Sequence, residues 1–290
     1  MLDILPAFVH NPVMIHKVLP FLKQAGDIAI EKQDGISFHS SDIKDDNDIM
    51  KVVTDVDFEI SRKFEGFVND EFRHLNPLIV DEESSKGITI DRIKDAAWSF
   101  VIDPIDGTLT YSNGYPNYAI SVGILKRGEP HMGAIYAPAM GLLTYADDKN
   151  AVSISKAFTG NEKRHYLSSD DRQAPLFINE TNALLPNKNW KNKELMFIDT
   201  YAGVLKALFT VTGKARGFAS FGYLWDLAGV WPIARKVGMD IRDLDTGHTL
   251  SLDDFRDKDL RVHDGTFKIM SRHRDFEYLK NILEKRNIHW

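Results

Sequence analysis

Trp98-Ser-Phe-Val-Ile-Asp-Pro-Ile-Asp-Gly-Thr108 is an apolar run that leads into an acidic turn. Trp98 to Ile102 favours a buried β-strand. Pro104 has no N–H to give a central ladder, so the strand is expected to end near Asp103. Asp103 and Asp106 then share a tight turn closed by Gly107, and Thr108 opens the next segment. Carboxylates at the end of a strand suit a hard divalent cation. Free backbone N–H groups at Gly107 and Thr108 suit a phosphate. A solvated, Asp-rich turn would use the same residues, so the turn alone does not choose between these roles.

Before this stretch, Leu78-Ile-Val80 reads as a short strand with Asp81-Glu-Glu-Ser84 at its end. Upstream of it, Thr54 opens a helix with an N-cap-like pattern, which places Asp57 in the first turn. Ile60, Phe64, Phe67, Val68 and Phe72 give that helix an apolar stripe. A helix from about Asn11 to Lys32 puts Ile15, Val18, Leu19, Leu22 and Ala29 on one face. Between the two helices, Ser40 to Asp48 is a polar, acidic loop without the Gly and terminal Glu of an EF-hand. Beyond the turn, Tyr118–Lys126, His131–Tyr136 and Leu142–Ala146 form a meander of antiparallel strands. A polar band near Thr159 to Gln173 is expected to cross into a second half. That half alternates strands (Leu176–Ile178, Glu194–Ile198, Thr266–Met270) with helices (Gly203–Val211, Asp226–Val237, Arg274–Lys285). Asp226 would cap or begin its helix, which is a sufficient local role for an acid.

The bulk composition narrows the function. The chain has 290 residues, 43% of them hydrophobic, enough for one large domain or two packed halves. A net charge of −6 argues against a nucleic-acid backbone binder. There is no cysteine, so disulfides, zinc thiolates and cysteine nucleophiles are excluded. The 10 histidines show no metal-ligand spacing. No apolar segment is long enough to span a bilayer, and no signal-peptide pattern opens the chain. A cytoplasmic location is the expectation.

Three strand or helix ends now carry acids: Glu82, the Asp103/Asp106 pair and Asp226. Together they resemble the inositol monophosphatase-like family of Mg²⁺-dependent, lithium-sensitive phosphatases, which includes fructose-1,6-bisphosphatases and bisphosphate nucleotidases. Asp103-Pro-Ile-Asp-Gly-Thr108, with Trp98 upstream, matches the family's central signature. Glu82-Glu83-Ser84, Trp225-Asp-Leu-Ala-Gly229 and Thr54-x-x-Asp57 match its other motifs, in order. The resemblance runs from about Ile15 to Leu283. It implies a mixed α+β, α/β fold, a layered αβαβα sandwich. The halves would be residues 1–155, with the meander and main metal site, and residues 156–290, which supply Asp226 and the substrate side. It also implies a first Mg²⁺ on Glu82, Asp103 and the Ile105 carbonyl, and a second on Asp103, Asp106 and Asp226. A third, weaker ion would use Glu82 and waters. Thr108 and Asp57 would orient and deprotonate the attacking water. The phosphate would meet the Gly107 and Thr108 amides, with Asp106, Ala202 and Asp226 also on the substrate side. A homodimer that takes a small phosphate ester is implied too, with no direct role for nucleic acid or membrane.

The chain departs from the pattern on the substrate side. Where inositol-specific members carry a Glu before the Trp-Asp motif, spacing places Ala219. Asp199-Thr-Tyr-Ala-Gly203 replaces an Arg and Gly-Ser segment, and a loop Lys has only Lys44 or Lys51 as counterparts. An inositol, polyol or sugar phosphate is the leading substrate class. A 3′(2′),5′-bisphosphate nucleotidase with Tyr201, Phe221 or Tyr223 stacking a base, or a fructose-1,6-bisphosphatase, is the enzyme alternative. A regulatory protein that binds the transcription machinery is the non-enzyme alternative.

Overall fold

The computed structural model describes residues 14–33, 55–171, 173–174, 176–178, 196–220, 222–263 and 268–284. Thr54, the Ser40 to Asp48 loop, Lys44, Lys51 and Phe221 lie outside the described residues. Helices α1 (Met14–Gln33) and α2 (Asp55–Phe72) pack together on one face of a sheet. Their stripes are the ones the periodicity predicts: Ile15, Val18, Leu22, Ala29, Ile60, Phe64, Val68 and Phe72 are all buried. Each of the larger side chains, Ala29 apart, contributes about 1.5–3 kcal/mol through burial.

Among the described residues that sheet has seven strands in sequential order, β1-β2-β3-β4-β5-β6-β7. They are β1 (Leu78–Asp81), β2 (Ser99–Asp106), β3 (Ala119–Lys126), β4 (Glu129–Ala137), β5 (Leu142–Ala146), β6 (Ala151–Ser155) and β7 (Lys163–Tyr166). Only β1 and β2 run parallel. All later pairs are antiparallel, as a meander requires. Strand β7 lies inside the stretch read as a polar crossing band. Its Lys163, Arg164, His165 and Tyr166 are all exposed, as suits a sheet edge kept from further pairing by charge. Helix α3 (Ile90–Asp95), capped by Thr89, joins β1 to β2.

The sheet's alternation separates two cores. Phe100, Ile102, Ile120, Val122 and Ile124 face α1 and α2. Val101, Ala119, Leu125 and Ile135 face the other way, onto α5 (Gly203–Val211), α6 (Leu224–Ala228) and α7 (Val230–Lys236). A second sheet, of five described strands in the order β11-β12-β10-β8-β9, closes that middle layer. Its strands are β8 (Leu176–Ile178), β9 (Met196–Ile198), β10 (Gly217–Ser220), β11 (Met239–Asp243) and β12 (Lys268–Arg272). Helix α8 (Phe276–Glu284) covers the far side through Phe276, Leu279, Ile282 and Leu283. The layers therefore run αβαβα. No described helix is long and apolar enough to cross a membrane.

The segment read as one helix from Asp226 to Val237 is two, α6 and α7. Pro232 has no N–H to donate to the Ala228 carbonyl, so the helical ladder is interrupted there. The junction lies directly on the first sheet. A Cβ added to Gly133 would stand 2.1 Å from the Gly229 carbonyl oxygen, and one added to Gly229 would stand 2.2 Å from Ser121 Oγ. The small residues of Trp225-Asp-Leu-Ala-Gly229 thus let α6 approach β3 and β4 closely enough to deliver Asp226.

Candidate active site

Strand β2 does not stop at Asp103. It continues to Asp106, and its pairing with β3 shifts register between Asp103↔Ser121 and Asp106↔Ala119. Pro104 falls inside that irregularity, where the ladder asks nothing of its missing N–H. The bulge places Asp103 and Asp106 together beside Asp226. One carboxylate oxygen from each lies within 4.8 Å of the others. Asp103 is 1% exposed, and its Oδ1 has no protein hydrogen-bond partner. A buried carboxylate in that state is unfavourable unless a cation or a proton neutralises it.

The electrostatics extend the cluster to Glu82. Burial, then Asp226, Glu83, Asp57 and Asp106, push its carboxyl up to about 9. Asp103 is raised well above the usual carboxylate range by burial, then by Glu82, Asp106 and Asp226. Asp106 is pushed up to about 7 by burial, against backbone amides and Lys206, which lower it. Several acids are therefore crowded into one low-dielectric place. Oxygen-only donors of this kind suit Mg²⁺ or Ca²⁺.

Each acid is held by a different device. At the end of β1, Ser61 Oγ donates to buried Asp81 Oδ1 at 2.9 Å, and the same oxygen accepts the Glu83 N–H at 3.0 Å. This fixes the turn that carries Glu82. Asp226 is the third residue of α6, not its cap. Its Oδ2 accepts the Tyr223 N–H at 2.6 Å in a capping box. Asp106 Oδ1 accepts the Gly203 N–H at 2.8 Å, and Oδ2 accepts the Leu205 N–H at 3.1 Å. Sequence reading missed these two amides, because they come from about a hundred residues away.

Gly107 has φ +84 and precedes the short helix α4 (Thr108–Ser112). A Cβ there would meet the Asn117 carbonyl at 2.7 Å and Ala202 Cβ at 2.8 Å. The turn is therefore packed too closely, in a left-handed conformation, to take a side chain. Thr108 Oγ1 donates to the Ile105 carbonyl at 2.8 Å, and Asp57 Oδ1 is 3.5 Å away. The single hydroxyl proton goes to Ile105, and Asp57 stands at the outer limit of a hydrogen bond. Asp57 itself is 1% exposed.

Two substrate-side positions are buried. Ala202 is buried against the Gly107 turn, and the exposed residue beside it is Tyr201. Ala219 is 0% exposed and packs with Ile269, Phe276 and Leu279 under α8. Alternation along β10 sends Phe218 to the middle layer and Ala219 to the outer one, on the α8 side.

Comparison with known proteins bears on the family and the fold. The inositol monophosphatase family model matches residues 14–273. A fructose-1,6-bisphosphatase/inositol-1-monophosphatase of Thermotoga maritima is 24% identical over 190 residues, 65% of this chain and 72% of that protein. The 3′(2′),5′-bisphosphate nucleotidase CysQ of Buchnera aphidicola is 25% identical over 233 residues, 78% of this chain and 82% of that protein. A Ca-bound IMPase family protein from Staphylococcus aureus shares the fold, with a TM-score of 0.68, 18% identity, and coverage of 94% of this chain and 95% of that one.

Proposed function

Because the chain belongs to the inositol monophosphatase family, we propose that it is a Mg²⁺-dependent phosphomonoesterase acting on a small polyol or sugar phosphate. The observation that carries this reading is the convergence of Asp103, Asp106 and Asp226 around a buried, unpartnered Asp103 oxygen. Glu82, Asp103, Asp106, Asp226 and the Ile105 carbonyl would hold the cations, two to three per site. When bound, these cations supply charge neutralisation at the phosphoryl group and make water more acidic. The Gly107 and Thr108 amides bind phosphate oxygens. Thr108 orients the attacking water, and Asp57 takes the proton when the Thr108 hydroxyl turns from Ile105. Phosphoryl transfer needs mostly positioning and charge, so a chain without a protein nucleophile is adequate.

Of the aromatic side chains that could stack a nucleotide base, Tyr201 is exposed and Tyr223 is not free to do so. Tyr223 is stacked on Trp225 at 4.7 Å, with the Arg261 guanidinium 5.6 Å from its ring, so its ring is already engaged. Lithium inhibition and a homodimer belong to the same reading. The test is phosphate release from inositol 1-phosphate, fructose 1,6-bisphosphate, histidinol phosphate, adenosine 3′,5′-bisphosphate and NADP, with Mg²⁺ and with or without Li⁺. Turnover of the polyol or sugar esters is expected. Preference for the nucleotides would overturn the substrate class, and no turnover of any ester would overturn the enzyme.

A further inference from the structure

Helix α5 is apolar apart from Lys206 and Thr210. Val204, Leu205, Ala207, Leu208 and Val211 are buried, and so is Lys206, at 1% exposed. Its Nζ is 2.8 Å from Asp199 Oδ1, which also accepts the Tyr201 N–H at 2.9 Å. Asp199 Oδ2 has no protein hydrogen-bond partner. Between the pair, Tyr201 has φ +55, a left-handed conformation that a non-glycine residue holds only when its surroundings impose it. Thr200 Oγ1 donates to the Ala202 carbonyl at 3.3 Å, which tightens the same turn. The turn ends in the two α5 amides that Asp106 accepts.

A buried Lys–Asp pair is a poor way to stabilise a fold, because apolar side chains of similar volume do as well or better. What such a pair supplies is a fixed geometry. We propose that Asp199 and Lys206 are positioning residues for Asp106, locking turn 199–203 so that the α5 amides fix the orientation of the Asp106 carboxylate at the cation site. The inference rests on the phosphatase reading above, but its test does not depend on turnover. Direct repulsion gives the opposite sign, because a lysine near a cation site repels Mg²⁺ and its removal should tighten binding, although Lys206 also favours the ionised Asp106 carboxylate. Positioning predicts that removal weakens it.

The experiment is calorimetric titration of the metal-free protein with Mg²⁺, beside thermal unfolding and the kcat and KM of phosphate release. Lys206→Met is expected to raise the Mg²⁺ Kd by roughly 10–100-fold, the range for residues that orient metal ligands. It should lower kcat with a smaller change in KM. The paired variant Asp199→Leu/Lys206→Met has no unpaired charge. It should regain the parental Tm while Mg²⁺ binding and kcat stay impaired. Asp199→Asn keeps an acceptor for the Tyr201 N–H and should bind Mg²⁺ nearly as the parent does. If Lys206→Met does not fold, the paired variant and Asp199→Asn carry the test. Mg²⁺ binding in Lys206→Met at or above parental strength overturns the proposal. Recovery of Mg²⁺ binding together with Tm in the paired variant also overturns it. A parent protein that binds no Mg²⁺ overturns the phosphatase reading as well.

Discussion

Asp106 Oδ1 accepts the Gly203 N–H at 2.8 Å, so an acid at the end of the first sheet is oriented by a helix of the middle layer. Asp226 arrives from that same middle layer, on α6. The cluster therefore exists only when the layers are stacked. No single segment of the chain contains it.

Asp103 should be the most sensitive position, because it is the most buried of the three clustered acids and its Oδ1 has no protein partner. Asp103→Asn is expected to abolish Mg²⁺-dependent phosphate release. In metal-free buffer the variant should melt at or above the parental temperature, since it removes one carboxyl from a crowded, desolvated site. Phosphate-release kinetics with parallel thermal melts in EDTA check both halves. Parental turnover by this variant would remove Asp103 from the metal assignment.

Stability without metal should depend on pH in a definite direction. Burial raises Glu82 from 4.5 to about 9 and Asp106 from 3.8 to about 7. Between the ordinary and the raised values, the folded protein keeps a proton that the unfolded chain has released. The stability tied to these groups is full below the ordinary values and is lost as pH climbs through the raised ones. Metal-free Tm should therefore fall from about pH 5 to about pH 9. Mg²⁺ needs ionised ligands, so its binding should release protons, and the Tm it restores should grow with pH. Melts across pH with Mg²⁺ or EDTA test this, and a flat metal-free profile would refute the crowding argument.

The Gly107 turn makes a local prediction. Gly107→Ala must hold a left-handed conformation, which costs about 1–2 kcal/mol before any contact is counted. Its Cβ would also press on the Asn117 carbonyl at 2.7 Å. A lower Tm and loss of phosphate release are expected, with the larger effect on activity because the amides of Gly107 and Thr108 move. A variant with reduced Tm and parental kcat/KM would show that the turn does not hold the phosphate.

Local chemistry explains which elements the sequence discloses. Helix α5 and strand β5 lie where periodicity and alternation place them, at Gly203–Val211 and Leu142–Ala146. The order of acids, Glu82, Asp103, Asp106, Asp226, is legible because each ends a recognisable strand or helix motif. Strand β10 is not, since Gly217-Phe-Ala-Ser220 is too short and small to signal a period. The two amides on Asp106 are invisible for a different reason: backbone donors carry no residue identity. One signal does exist for that region, a single lysine in the apolar run Gly203-Val-Leu-Lys-Ala-Leu-Phe-Thr-Val211.

Spacing and burial point in different directions at Ala219, and the difference can be tested. A count along the chain puts it where a substrate-binding Glu would stand, yet β10 turns its methyl into the core beneath α8, beside Leu279 and Leu283. Ala219→Glu should therefore not create selectivity for inositol phosphates. It would bury an unpaired carboxylate among apolar side chains and destabilise the fold by more than about 3 kcal/mol. The added carboxyl, driven to stay protonated, should make the variant more stable in acid than at neutral pH relative to the parent. Urea unfolding at two pH values, with the substrate panel, separates the outcomes. A stable variant with a lowered KM for inositol 1-phosphate would mean that residue 219 faces the substrate after all.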